Sequence, residues 1–238
     1  MKAIKITILL VQTTALFGQY QYYQSDTLTS INTTNWWNNG NPSFTSQGLS
    51  AQGNAALLSN LAVPDGSNDY EVKTTVAFGD NSQGDLVAVA YLRVQGNPLE
   101  ENAIQYYSVE TDVSSSTGSC SYSLYKHYTD SGGPHTIFFA QGGGACHNGS
   151  VLRSVVVTLS NIDSIFQIYI DDQLVGSIFD VTGVTYGAPG LGIKNGCLSG
   201  CGGLISRVDI GPRDRIAPNA VNPATIGTSV WANRMDAQ

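Results

Sequence analysis

From residue 70 to 78 the chain alternates strictly. Tyr70, Val72, Thr74, Val76 and Phe78 fall on one side, and Glu71, Lys73, Thr75 and Ala77 on the other. A period of two over this length predicts a half-buried β-strand. The same period returns at 86–94, where Leu86, Ala88, Ala90, Leu92 and Val94 form the apolar set and Val87, Val89, Tyr91 and Arg93 oppose them. It returns at 104–112, with Gln105, Tyr107 and Val109 against Tyr106, Ser108 and Glu110. At 120–128, Tyr122, Leu124 and Lys126 oppose Ser123, Tyr125 and His127. Residues 151–159 are strongly β-branched, and 166–170 and 174–179 are apolar runs separated by the polar turn Asp171-Asp172-Gln173. That spacing predicts a β-hairpin. Further strands are predicted at 190–193 and 202–211.

Between these runs lie turn formers. Asn38-Asn39-Gly40-Asn41-Pro42 reads as a turn, and 44–58 as short β segments around Leu49 and 55–58. Residues 132–150, with Gly132-Gly133-Pro134 and Gly142-Gly143-Gly144, read as a loop-rich excursion around one apolar strand at 136–140. No helical period persists anywhere. Strands every ten to fifteen residues or so, with turn signals between them, predict an all-β sandwich of two antiparallel sheets.

Both ends depart from this pattern. Residues 1–18 combine Lys2 and Lys5 with the apolar runs 6–10 and 15–17, and small residues lie near a cleavage point, which reads as a signal peptide. From Pro212 the chain is charged and then proline-bearing, a linker followed by a short β-like segment with Trp231. The expected organisation is therefore a leader at 1–18, one β-sandwich at 19–211, and a linker with the start of a further module at 212–238.

Composition supports export. Charged residues are only 12% of the 238 and the formal net charge is −7. Lys and Glu, the helix-favouring charges, are scarce, which suits a secreted or cell-surface β-protein. No Lys/Arg-rich run exists, so a nucleic-acid partner is not expected. No later stretch is long and apolar enough to span a bilayer once the leader is removed.

The four cysteines, Cys120, Cys146, Cys197 and Cys201, suggest disulfides in an exported chain. Three pairings exist, and the simplest is Cys120 with Cys146 and Cys197 with Cys201. No second Cys/His pair has zinc-finger spacing, and the three histidines stand apart in sequence.

Several segments resemble concanavalin-like jelly rolls of the lectin and glucanase superfamily, laminin-G-like domains in particular. Ser25-Asp26-Thr27-Leu28 followed by Trp36-Trp37 is similar to the family's opening, in which an aspartate enters the first strand and a tryptophan plugs the sandwich. Leu28 stands where the family often has Phe. The Leu92-Arg93-Val94 and Tyr106–Glu110 runs, the hairpin with its following Gly190-Leu191-Gly192-Ile193, and the closing 202–211 strand also match. The segment after Pro212 resembles the first strand of a fibronectin-type-III-like module.

The resemblance implies a structural Ca²⁺ between the opening aspartate and the closing strand, here Asp26 and Asp209, held by carboxylate and backbone oxygens. It also implies that the sheet face opposite the apolar set is the concave binding surface. Tyr91, Arg93, Tyr106, Glu110, Tyr125 and His127 share that face on the strand phases above. Aromatic rings that stack on sugar C–H faces, beside Arg and Glu hydrogen-bonding groups, make a carbohydrate cleft.

Catalysis finds less support. Glycanases of this fold carry three carboxylates at alternating strand positions. Glu110-Thr111-Asp112 supplies two and the third is missing, since Val113 and three serines follow. No G-x-S-x-G elbow, P-loop or dinucleotide fingerprint occurs. The expected function is an exported, non-catalytic binding module for a carbohydrate or an extracellular glycan or protein. The alternatives are a glycoside-processing enzyme of the same fold, and a structural or adhesive domain without a small ligand.

Overall fold

The computed structural model describes residues 24–60, 69–77, 87–100, 105–114, 119–145, 152–159, 165–180, 187–196 and 204–212. The leader, all but the first residue of the tail, and Cys146, Cys197 and Cys201 lie outside these residues. Cys120 is in a strand opposite Gly144, one residue short of the strand end that precedes Cys146.

Thirteen strands are present in the described residues. They are β1 (Gln24–Asp26), β2 (Trp36–Thr45), β3 (Gly48–Ser59), β4 (Tyr70–Ala77), β5 (Val87–Gln95), β6 (Gln105–Ser114) and β7 (Ser119–Asp130). The remainder are β8 (Gly133–Ala145), β9 (Leu152–Leu159), β10 (Ile165–Ile170), β11 (Gln173–Phe179), β12 (Ala188–Gly196) and β13 (Leu204–Pro212). Every pairing is antiparallel. One layer runs β11-β10-β9-β4-β13-β1 and the other β2-β3-β12-β5-β6-β7-β8. A single pairing, Ile205 with Leu49, joins them at one corner. The protein is an all-β jelly-roll sandwich.

The inner faces of both layers meet in the main core. Val72, Val76, Phe166, Ile168 and Val208 come from one layer, and Ala90, Leu92, Val109, Leu124, Leu191 and Ile193 from the other. Burying one such side chain contributes roughly 1.5–3 kcal/mol. Trp36 closes the end of the core at 1% exposure. Its indole N–H donates to Asp26 Oδ2 at 2.8 Å, while the Leu28 N–H donates to Oδ1 of the same carboxylate at 2.8 Å. The opening aspartate thus satisfies the one polar atom of a buried tryptophan, as burial demands.

Glycines mark places where the pattern misleads. Gly142-Gly143-Gly144 belongs to β8, not to a loop. The ring of Tyr122 lies over Gly142, so a Cβ there would stand 2.5 Å from Tyr122 Cε1. Asn38-Asn39-Gly40-Asn41-Pro42 is likewise inside β2. Its ladder shifts between Gly40 and Pro42, and Gly40 sits at φ 83°. Within the described residues β2 pairs only with β3, and an edge strand tolerates both proline and a bulge. The β10–β11 hairpin turns at Asp171 and Asp172, both at positive φ, as a two-residue type I′ turn requires.

Candidate functional site

The outer face of the seven-stranded layer is built row by row from strand register. One row runs Gly192, Val89, Glu110, Ser123, Gln141, and the next Gly190, Tyr91, Ser108, Tyr125, Phe138. A third holds Tyr106, His127 and Thr136. Of the six expected face residues, the structure therefore brings together Tyr91, Tyr106, Glu110, Tyr125 and His127.

Arg93 does not join them. The β5–β6 ladder shifts between Leu92 and Gln95, and Arg93 adopts φ 52°. Its backbone N–H donates to Tyr70 Oη at 2.8 Å, which pins the bulge. The phase of β5 reverses there. Arg93 is 2% exposed, within Coulombic range of Tyr70, Tyr107 and Asp69 on the core side. Burial pulls its pKa down, and those three groups oppose the shift. Val94, expected in the core set, instead packs with Tyr91 and Tyr106 on the outer face. A bulge adds one residue without a sequence signature, so simple alternation misassigned both side chains.

The face is graded. Tyr91 and Tyr106 are floor residues, 1% and 8% exposed, packed with Ala56, Leu58 and Val89. Their rings meet edge-on at 5.9 Å. Gly192 is part of that floor, because a Cβ there would stand 2.6 Å from both Ala55 O and Tyr91 Cε2. The Tyr106 hydroxyl donates to Pro98 O at 3.1 Å, and burial pushes its pKa up to about 12. Burial raises the Tyr91 hydroxyl further, so both are protonated donors at neutral pH.

His127 stacks on Tyr106 at 4.2 Å and 12°. Its Nε2 meets Ser108 Oγ at 2.9 Å and its Nδ1 meets Thr136 Oγ1 at 3.1 Å. Burial, then the Lys194 charge, lowers its pKa to about 4. The ring is neutral at pH 7 and already carries two hydroxyl partners, which suits a rigid polar wall.

Tyr125 and Phe138 form the open part. Their rings meet at 5.6 Å and 60°, and Phe138 is 51% exposed. On the same face Lys194 pairs with Glu110, both half-buried. Lys194 is two residues past Gly192 on β12, and Gly192 shares a row with Glu110, so the pair bridges diagonally across β5. Periodicity could not have found Lys194, because the β12–β5 pairing that delivers it spans about half the chain. Phe138 lay in an expected apolar strand. The bulge in the β7–β8 ladder between Leu124 and Tyr125 places it opposite Tyr125.

Asp26 and Asp209, the residues of the Ca²⁺ expectation, lie on neighbouring paired strands. In the β1–β13 register Asp26 opposes Val208, a core residue, whereas Asp209 opposes Ser25 on the outer side. The two carboxylates point to opposite faces. Asp26 already accepts from Leu28 and Trp36, and Asp209 accepts from Ser25 Oγ at 2.5 Å and from the Arg207 guanidinium at 2.9–3.1 Å. No cluster of three His, Cys, Asp or Glu side chains that could hold a metal occurs among the described residues.

No family model matches the chain, and no curated protein matches its sequence. Solved structures do. The Emp46p carbohydrate recognition domain in its potassium-bound form aligns at TM-score 0.59 and 10% identity, over 81% of this chain and 98% of that one. The Emp47p carbohydrate recognition domain aligns at 0.56 and 15%, over 80% and 95%. The VIP36 exoplasmic/lumenal domain, Ca²⁺/Man2-bound, aligns at 0.54 and 11%, over 81% and 88%. These likenesses agree with the fold described above, a concanavalin-like jelly-roll β-sandwich.

Proposed function

We propose that this chain is an exported, non-catalytic glycan-binding module of a secreted or cell-surface protein, and that it binds on the outer face of the seven-stranded layer. The observation that carries the reading is the Tyr125–Phe138 pair. Two aromatic rings stand open on the same face as the Glu110–Lys194 ion pair, beside the fixed hydroxyl-bonded ring of His127. Rings offer the flat apolar surface that sugar C–H faces stack on, and the ion pair offers both donors and acceptors to hydroxyls. The solved neighbours described as carbohydrate recognition domains support the same reading. Export rests on the leader pattern at 1–18, and the laminin-G-like assignment on the motifs it shares.

The non-catalytic reading rests on the carboxylates. Glu110 is committed to Lys194, and Asp112 lies two residues along the same strand face instead of across a cleft. Retaining hydrolysis needs two carboxyls roughly 5 Å apart on either side of the glycosidic bond.

A glycan array followed by titration calorimetry tests the proposal. Tyr125→Ala and Phe138→Ala are each expected to weaken binding about tenfold or more, with the unfolding midpoint nearly kept, since both rings are partly exposed. An array without hits on folded protein would favour a structural or adhesive domain. Product release from a polysaccharide that is abolished by Glu110→Gln would favour the enzyme.

A further inference from the structure

At one end of the outer face residues 98–100, after β5, and the β7–β8 hairpin border a depression of about 210 Å³. It is below the roughly 300–1,000 Å³ of pockets for drug-sized ligands, and of a size for a single sugar residue. Tyr106 and His127 line it from the glycan face, so it continues the proposed surface. Two stacked ring pairs wall it. One is Tyr106 on His127, and the other is Tyr128 on His135 at 4.9 Å and 19°.

The charges around it are unequal. His127 is neutral and held by two hydroxyls. The His135 Nε2 is paired with Asp130 at 2.9 Å. Glu100 also lines the depression and is exposed, with no ion-pair partner among the described residues. Its backbone N–H is fixed by Asn97 O at 3.1 Å, which holds the carboxylate-bearing turn at the rim. A ring-walled depression with one uncompensated carboxylate attracts a cation twice, through the carboxylate and through the aromatic faces. The chain's net charge of −7 adds a field of the same sign.

From this we infer that the depression is a subsite for a protonated amino sugar, with Glu100 as the residue that selects the ammonium group. The inference rests on the glycan reading and names the class of sugar that reading leaves open. An N-acetylated or neutral hexose would still stack on the rings but would leave Glu100 without a counter-charge.

Calorimetric titration at about pH 6, where a sugar amine is protonated, compares a glucosamine oligomer with its fully N-acetylated form and with a glucose oligomer of equal length. The glucosamine oligomer is expected to bind about tenfold or more tighter than either. Glu100→Gln should bring that ratio to about one, and Glu100→Lys should take it below one. Circular dichroism confirms that each variant is folded. Equal affinities in the wild type, or a ratio that survives both substitutions, overturns the inference while leaving the glycan reading intact. Failure of all three oligomers to bind overturns the inference, and a glycan array without hits overturns the glycan reading as well.

Discussion

The two faces of the seven-stranded layer use the same strands for opposite ends. On the inner face, Ala88, Ala90 and Leu92, Tyr107 and Val109, Leu124, and Leu191 and Ile193 meet the facing layer with almost no exposure. On the outer face the alternate residues of those strands grade from a buried floor, Tyr91 and Tyr106, to half-open rings and an ion pair. Even the polar atoms differ. On the inner side, the Tyr107 hydroxyl donates to Asp180 at 2.5 Å and Lys126 lies 3.5 Å from the same carboxylate, so those charges are spent within the protein. On the outer side, Glu110, Lys194 and Glu100 remain reachable from solvent. The inner face is closed off by the facing layer, whereas the outer face keeps rings and charged groups within reach of solvent.

Substitutions should separate the faces. Leu124→Ala, at 0% exposure on the inner face, is expected to cost about 2–5 kcal/mol in urea unfolding, with sugar affinity unchanged in the folded protein. A loss of affinity without a loss of stability would break the contrast. Gly192→Ala tests whether the floor is packed. Its Cβ would stand 2.6 Å from the Ala55 carbonyl, which cannot rotate away, and 2.6 Å from the Tyr91 ring. About 1–3 kcal/mol of destabilisation is expected, with a changed near-ultraviolet signal from the displaced tyrosine. A change below about 0.5 kcal/mol would show the floor to be loose.

The smallest effect concerns pH. In the unfolded chain His127 titrates near pH ~6.5, whereas in the fold its pKa is lowered to about 4, chiefly by burial. Between those values the unfolded chain takes up a proton that the folded chain refuses. Stability should therefore fall as pH drops from about 6.5 to about 4, and this contribution should level off below. His127→Gln should remove that component, so the stability gap between wild type and variant narrows on acidification. A constant gap from pH 7 to 4 would show the ring to be freely solvated.

The architecture was largely legible in the chain. Strict alternation assigns faces that the structure keeps at 70–77, 105–112 and 121–128. Tyr107, Val109 and Leu124 are inside, and Glu110, Tyr125 and His127 are outside. Asp171-Asp172 marks its turn. The two segments misread as loops share one cause. Gly142–Gly144 and the Asn38–Pro42 run look like loops because glycine and proline usually end strands. Here the Tyr122 ring and an edge-strand bulge accommodate them.

What the sequence determined by itself is the sandwich and the residue types on its two faces, because side-chain period is a local property of extended backbone. What the tertiary structure decided is which of those residues meet. The bulge at Arg93 withdrew the one cation expected on the outer face, and pairing of β12 with β5 supplied Lys194 in its place. The same logic separated Asp26 from Asp209, since residues one register step apart on paired strands face opposite ways. Register and bulges are set by packing between distant segments, and no local pattern encodes them.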